Sequence, residues 1–220
     1  MHLKEQLQFI LEQVRSFGFY TEELVFAPPA QPNEVQYLEQ ALGISLPSKL
    51  RDTLLTVSGH VEFQWIIPYD LGFPEPFGLF NGGHLDWSAE AIQSSNEAKN
   101  TFVNNVFPNR SDPYASVWRN KLAFAQVGLG DYWAIDLDPM KYEQVVYLRR
   151  INNNGKVHGY VLAEDFQDLI RRWVPLACPG RAERYWIPFT NDLTTPIDPN
   201  CENAKAWRAL LELSPNTTCT

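Results

Sequence analysis

Asp136-Leu137-Asp138 is the acidic pair whose spacing comes nearest to chemistry. Residues two apart on a strand point to the same face, so the two carboxylates would favour a divalent cation or a basic partner. No third paired ligand lies within sequence reach, and a strand end with turn-forming aspartate before Pro139 accounts for the same residues. Gly128-Leu129-Gly130 lacks the third glycine of a dinucleotide loop and runs into a strand pattern, so it reads as a hairpin turn. His2, His60, His84 and His158 show no ligand spacing, although His60 and His84 flank one long loop. A general base also needs an oriented partner, and none is apparent beside them. Cys178, Cys201 and Cys219 have no neighbouring histidine to activate a thiolate. No GxSxG, HExxH or Walker loop occurs.

Charge and composition exclude further classes. Lys and Arg number 18 against 26 Asp and Glu, a formal net charge of −8. That balance disfavours a general nucleic-acid binder, which needs clustered cations for phosphates, and suits a basic partner. No apolar run approaches the ~20 residues of a membrane helix, and the N-terminus lacks signal-peptide character. An odd cysteine count without CxxC argues against a disulfide or zinc framework and for a reducing, cytoplasmic home. Cys178 and Cys201 read as small buried hydrophobes. The sequons at Asn109 and Asn216 are chance matches, and nothing implies a cofactor or metal.

The elements that must position these residues follow from periodicity. Leu3, Leu7, Ile10, Leu11, Val14 and Phe17 form a helical stripe stopped by Gly18. After Pro28, Pro29 and Pro32, a helix capped by Asn33 carries Val35, Leu38 and Leu42 and ends at Gly43. Ser48 caps a third helix closed by Gly59. Val61, Phe63 and Trp65 then alternate with Glu62, Gln64 and Ile66, predicting a strand with one polar face. Residues 68–83 read as a loop long enough to be functional. Trp87 to Phe107 reads as a helix with Ile92, Phe102 and Val106 inward. Strands follow at 122–127, 132–137 and 144–148. Asn152–Gly155 is a turn signal, and 156–161 completes a second hairpin. Phe166, Leu169, Ile170 and Trp173 share a helical face, and 204–213 is a final helix. Helices first, hairpin strands next and helices last predict α+β.

Two stretches carry a resemblance. Val35-Gln36-Tyr37-Leu38-Glu39-Gln40-Ala41-Leu42-Gly43-Ile44-Ser45-Leu46-Pro47, continuing through Leu50-Arg51 and Leu54-Leu55 to Ser58-Gly59, resembles the start of the SMI1/KNR4 (SUKH) family. Phe124-Ala125-Gln126-Val127-Gly128-Leu129-Gly130-Asp131-Tyr132-Trp133-Ala134-Ile135-Asp136-Leu137 is similar to its central hairpin. Val145-Val146-Tyr147 and Ala163 to Ile170 resemble its last strand and following helix. The likeness covers about 33–174, with Ser58 in place of the usual asparagine and an insertion at about 68–120.

The resemblance implies an α+β domain, with a mixed or antiparallel central sheet and flanking helices, spanning about 31–175. A helix and linker precede it at 1–30, and 176–220 forms an extension packed on the same domain. It also implies a non-enzymatic role. Bacterial members look like immunity proteins that neutralise polymorphic toxins, often nucleases, and fungal members resemble cell-wall regulators. The family offers no catalytic residues to carry over. The leading expectation is a cytoplasmic protein-binding module of immunity type with a basic toxin domain as partner. The alternatives are a regulatory scaffold for another protein and a metal-dependent hydrolase using Asp136, Asp138 and a histidine. Seven Trp, nine Tyr and 13 Phe allow some aromatics to serve as interface anchors. Acidic or aromatic side chains at strand and turn positions give Glu62, Trp65, Asp131, Tyr132, Asp136 and Asp138 as candidate contacts.

Overall fold

Helices form where apolar residues return every three or four positions, and strands where they alternate. The computed structural model describes residues 2–109, 111–128, 130–151 and 156–213. The order is α1 (Leu3–Ser16), β1 (Tyr20–Thr21), β2 (Val25–Phe26), α2 (Pro32–Leu42), α3 (Ser48–Thr56), β3 (His60–Ile66), β4 (Gly82–Ser88), α4 (Ala89–Val106), α5 (Pro113–Val117), β5 (Lys121–Val127), β6 (Asp131–Asp136), β7 (Val145–Leu148), β8 (Tyr160–Ala163), α6 (Phe166–Trp173), α7 (Glu183–Trp186) and α8 (Glu202–Leu210). This is an α+β fold. The expected central sheet is two four-stranded sheets instead. The predicted turn at Asn152–Gly155, together with Leu129 and Cys219, lies outside the described residues. Among the described residues no helix is long and apolar enough to cross a membrane.

The residues group into two compact units. The first comprises Met1–Phe26, Val61–Asp86 and Asp168–Thr220. Its sheet is centred on β3. β1 and β2 lie along successive lengths of one edge, in registers Tyr20↔Ile66 and Val25↔Glu62, and β4 also pairs with β3. The expected alternation holds along β3: Val61, Phe63 and Trp65 are buried, whereas Glu62 and Ile66 are exposed. An aromatic core joins all three segments, with Phe19 stacked on Trp65 and Phe73 edge-on to both Phe19 and Trp207. Phe77 and Phe80 complete the contacts of Trp207. The indole N–H groups of Trp65 and Trp207 donate to the carbonyls of Ala177 and Leu176, at 2.9 and 2.8 Å. Gly83 is required here, because the Trp65 indole and the Ala177 carbonyl occupy the place of a Cβ.

The second unit comprises Ala27–His60 and Trp87–Gln167. Its sheet runs β5-β6-β7-β8, every pair antiparallel. One cluster of its core gathers Val103, Trp118, Ala123, Tyr132, Ala134, Val146 and Leu148. Helix α2 starts earlier than expected, with Gln31 as N-cap rather than Asn33. Pro32 takes the first helical position, where a missing N–H costs nothing, and Glu34 accepts from the Gln31 N–H at 2.6 Å. The N-cap of α3 is Pro47, not Ser48, and the first turn is satisfied by Glu143, 95 positions from Ser48. The helix expected from Trp87 begins at Ala89, because Trp87 belongs to β4. Its inward residues are Ile92, Ser95, Asn96, Lys99 and Val103, and Val106 is 51% exposed.

Candidate partner-binding surface

The six candidate contacts fall into two classes. Trp65 and Tyr132 are core side chains, 1% and 4% exposed, and offer no surface to a partner. Each sits on the packed face of its strand, where an aromatic ring buries more area than at an interface rim. Burial also pushes the Tyr132 phenol above its ordinary pKa. Asp136 is equally enclosed and forms a 3.0 Å ion pair with Lys121, while its Oδ1 accepts from the Asp138 N–H at 2.9 Å. Asp138 in turn accepts from the Met140 N–H at 2.9 Å. The Asp-x-Asp pair is thus a pair of turn-forming carboxylates, one of them neutralised by a buried lysine. Among the described residues no group of three or more His, Cys, Asp or Glu side chains could hold a metal ion.

Asp131 begins β6, half-buried, and accepts from the Tyr147 hydroxyl at 2.6 Å and the Arg150 N–H at 2.7 Å. These bonds pin the hairpin end and leave the carboxylate partly accessible. Asp136 and Asp138 line a cleft of about 530 Å³ together with Lys121, Lys141, Ser116 and His158. Charges of both signs meet there. His158 is held by the chain itself, since its Nδ1 accepts from the Arg149 N–H at 3.0 Å. Burial lowers its pKa, so the neutral ring is favoured.

Glu62 is the sixth candidate, exposed on the polar face of β3. The structure brings it beside three residues that sequence reasoning missed as site residues: Glu22, His84 and Asp86, which with Gln64 and Phe63 line a cleft of about 240 Å³. The His84 side chain is 47% exposed, and partial desolvation and the Arg181 guanidinium lower its pKa against the opposing carboxylates of Glu22 and Glu62. The neutral ring is favoured, and its Nε2 lies 3.1 Å from Asp86 Oδ1, within reach to donate to that carboxylate. Arg181, itself buried, bonds to Asp86 from within the unit. Burial lowers the Arg181 pKa to about 10, leaving the guanidinium charged at neutral pH.

A readable signal existed for the β4 residues. Gly83, Leu85 and Trp87 alternate with His84, Asp86 and Ser88, a period of two hidden by the glycine-rich loop before it. Glu22 had none, since β1 and β2 are two residues each and too short to show a period.

The sequence model of the SMI1 / KNR4 family (SUKH-1) matches residues 29–172. This chain is a SUKH-1 family member. No curated protein and no solved structure matches it. The SUKH-1 match takes in β3 through β8 and therefore Glu62, His84, Asp86, Asp131 and Asp138. Helix α1, strands β1 and β2 and the segment after residue 172 lie outside it.

Proposed function

We propose that the chain is a non-enzymatic, cytoplasmic immunity-type module that neutralises a polymorphic toxin domain, nucleases among them, by binding and covering its active site. Membership of the SUKH-1 family carries this reading. Charge supports it: a nuclease domain must be basic to hold phosphates, and a chain of net charge −8 meets such a partner by electrostatic steering. Among the candidate residues, Glu62, Asp131 and Asp138 keep carboxylates at least partly exposed, whereas Trp65, Tyr132 and Asp136 lie in the interior.

The test is to sequence the neighbourhood of the gene for a basic toxin domain and to co-express that domain with the chain. Growth is restored, and the two chains purify as a complex whose affinity falls as salt rises. Undiminished killing by an expressed, active toxin domain defeats the reading.

A further inference from the structure

The sheet of the first unit has one face packed with Val61, Phe63 and Trp65. The opposite face is open, and its composition is unusual for a solvated sheet. Tyr20 and Ile66 stand directly across from each other on β1 and β3, 67% and 40% exposed. Val25, 37% exposed, faces Glu62 across β2 and β3. Between these apolar side chains lies the cleft that Glu22, Glu62 and Asp86 share with His84. Among the described residues no lysine or arginine lines it. Glu22, Glu62 and Asp86 bring three carboxylates to this face, and the buried Arg181 guanidinium bonds Asp86.

An exposed aromatic and aliphatic pair beside concentrated charge of one sign has the makings of an interface centre. Its sign selects the occupant. A second copy of this chain would set carboxylates against carboxylates, whereas a cationic protein surface is complementary. The face also joins residues from two sources, Glu62, His84 and Asp86 within the family match and Tyr20, Glu22 and Val25 outside it.

We propose that this open face of the β1–β4 sheet docks a basic protein partner, with a lysine or arginine side chain of that partner entering between Glu22, Glu62 and Asp86 while Tyr20 and Ile66 pack on apolar partner surface. The proposal rests on the immunity-type reading above and adds the place of contact.

The experiment is calorimetric titration of the full chain with the basic toxin domain used in the co-expression assay. The chain is taken as wild type, Glu22→Lys/Glu62→Lys, Glu22→Gln/Glu62→Gln, and Glu90→Lys/Glu97→Lys. The last pair is exposed on α4 and makes the same change in net charge elsewhere. The face reversal is expected to weaken binding about 100-fold, the neutral pair about tenfold, and the α4 reversal less than about threefold. If the lysine pair fails to fold, as judged by thermal melting, the glutamine pair decides. Equal weakening by the two reversals, or none by either face variant, overturns the surface while leaving the function intact. Wild-type chain that does not bind the toxin domain overturns both.

Discussion

Glu143 holds a left-handed backbone conformation, φ +74°, in the turn between β6 and β7. Most side chains avoid that region because Cβ crowds the carbonyl. The conformation aims its carboxylate at the start of α3, where its oxygens accept from the Ser48 N–H at 2.7 Å and the Lys49 N–H at 3.2 Å. A negative group there also complements the helix dipole. Replacing Glu143 with alanine removes the cap and keeps the strain, and is expected to cost about 1–2 kcal/mol in urea unfolding. Glu143→Gly loses the same cap but relieves the backbone, and should come out about 0.5–1 kcal/mol above the alanine variant. Equal stabilities would show that the left-handed turn stores no strain. Nothing local in the sequence marks this cap. Ser48 looks like the capping residue because its type is right, yet its donor is satisfied by a residue almost a hundred positions away. The Asp136-x-Asp138 turn was legible by contrast, since each aspartate bonds a backbone N–H only two residues ahead.

At the scale of elements, α4 explains why its inward face was misread. β5 forms an edge of its sheet, and the Lys121 carbonyl and Ala123 N–H point away from β6. Unpaired strand edges invite association with other chains. Here Lys99 Nζ donates to the Lys121 carbonyl at 2.5 Å and Asn96 Oδ1 accepts from the Ala123 N–H at 3.3 Å. Polar residues thus occupy a buried helical stripe, because backbone rather than side chains lies opposite. A search for apolar periodicity picks Val106 in their place. Burial, and secondarily the charge of Lys121, lowers the Lys99 pKa from 10.5 to about 8. Between those values the unfolded chain binds more protons than the folded one, so stability rises with pH across that window and the penalty is in full force below it. Relative to Lys99→Met, the wild type is expected to gain up to roughly 3 kcal/mol from pH 8 to 10.5 in denaturation curves. A pH-independent difference would mean that the ammonium is hydrated.

For the whole molecule, the hairpin order that predicts α+β survives because it depends on neighbours in sequence: β5 with β6, and β6 with β7. The makeup of the first unit was illegible for the opposite reason. Its three chain segments meet through short strand pairings and through aromatic packing, and neither shows a period in the sequence. Trp207 draws that packing together, touching Phe73, Phe77 and Phe80 at ring separations of 4.9 to 5.1 Å. Trp207→Ala is expected to destabilise by roughly 3–5 kcal/mol, read from urea unfolding, with Leu176 losing its indole donor as well. A loss under 1 kcal/mol would mean that the C-terminal segment adds little to this core. The expectation that Trp65 and Tyr132 contact a partner is corrected on the same grounds. All seven tryptophans are buried, and the aromatic side chains that remain exposed are tyrosines, Tyr20, Tyr37, Tyr69 and Tyr142. The chain consequently carries a built-in optical gauge. Indole emission will move to longer wavelength when the chain melts and will stay nearly silent while a ligand sits on its outside, so one fluorometer trace can separate loss of structure from occupancy.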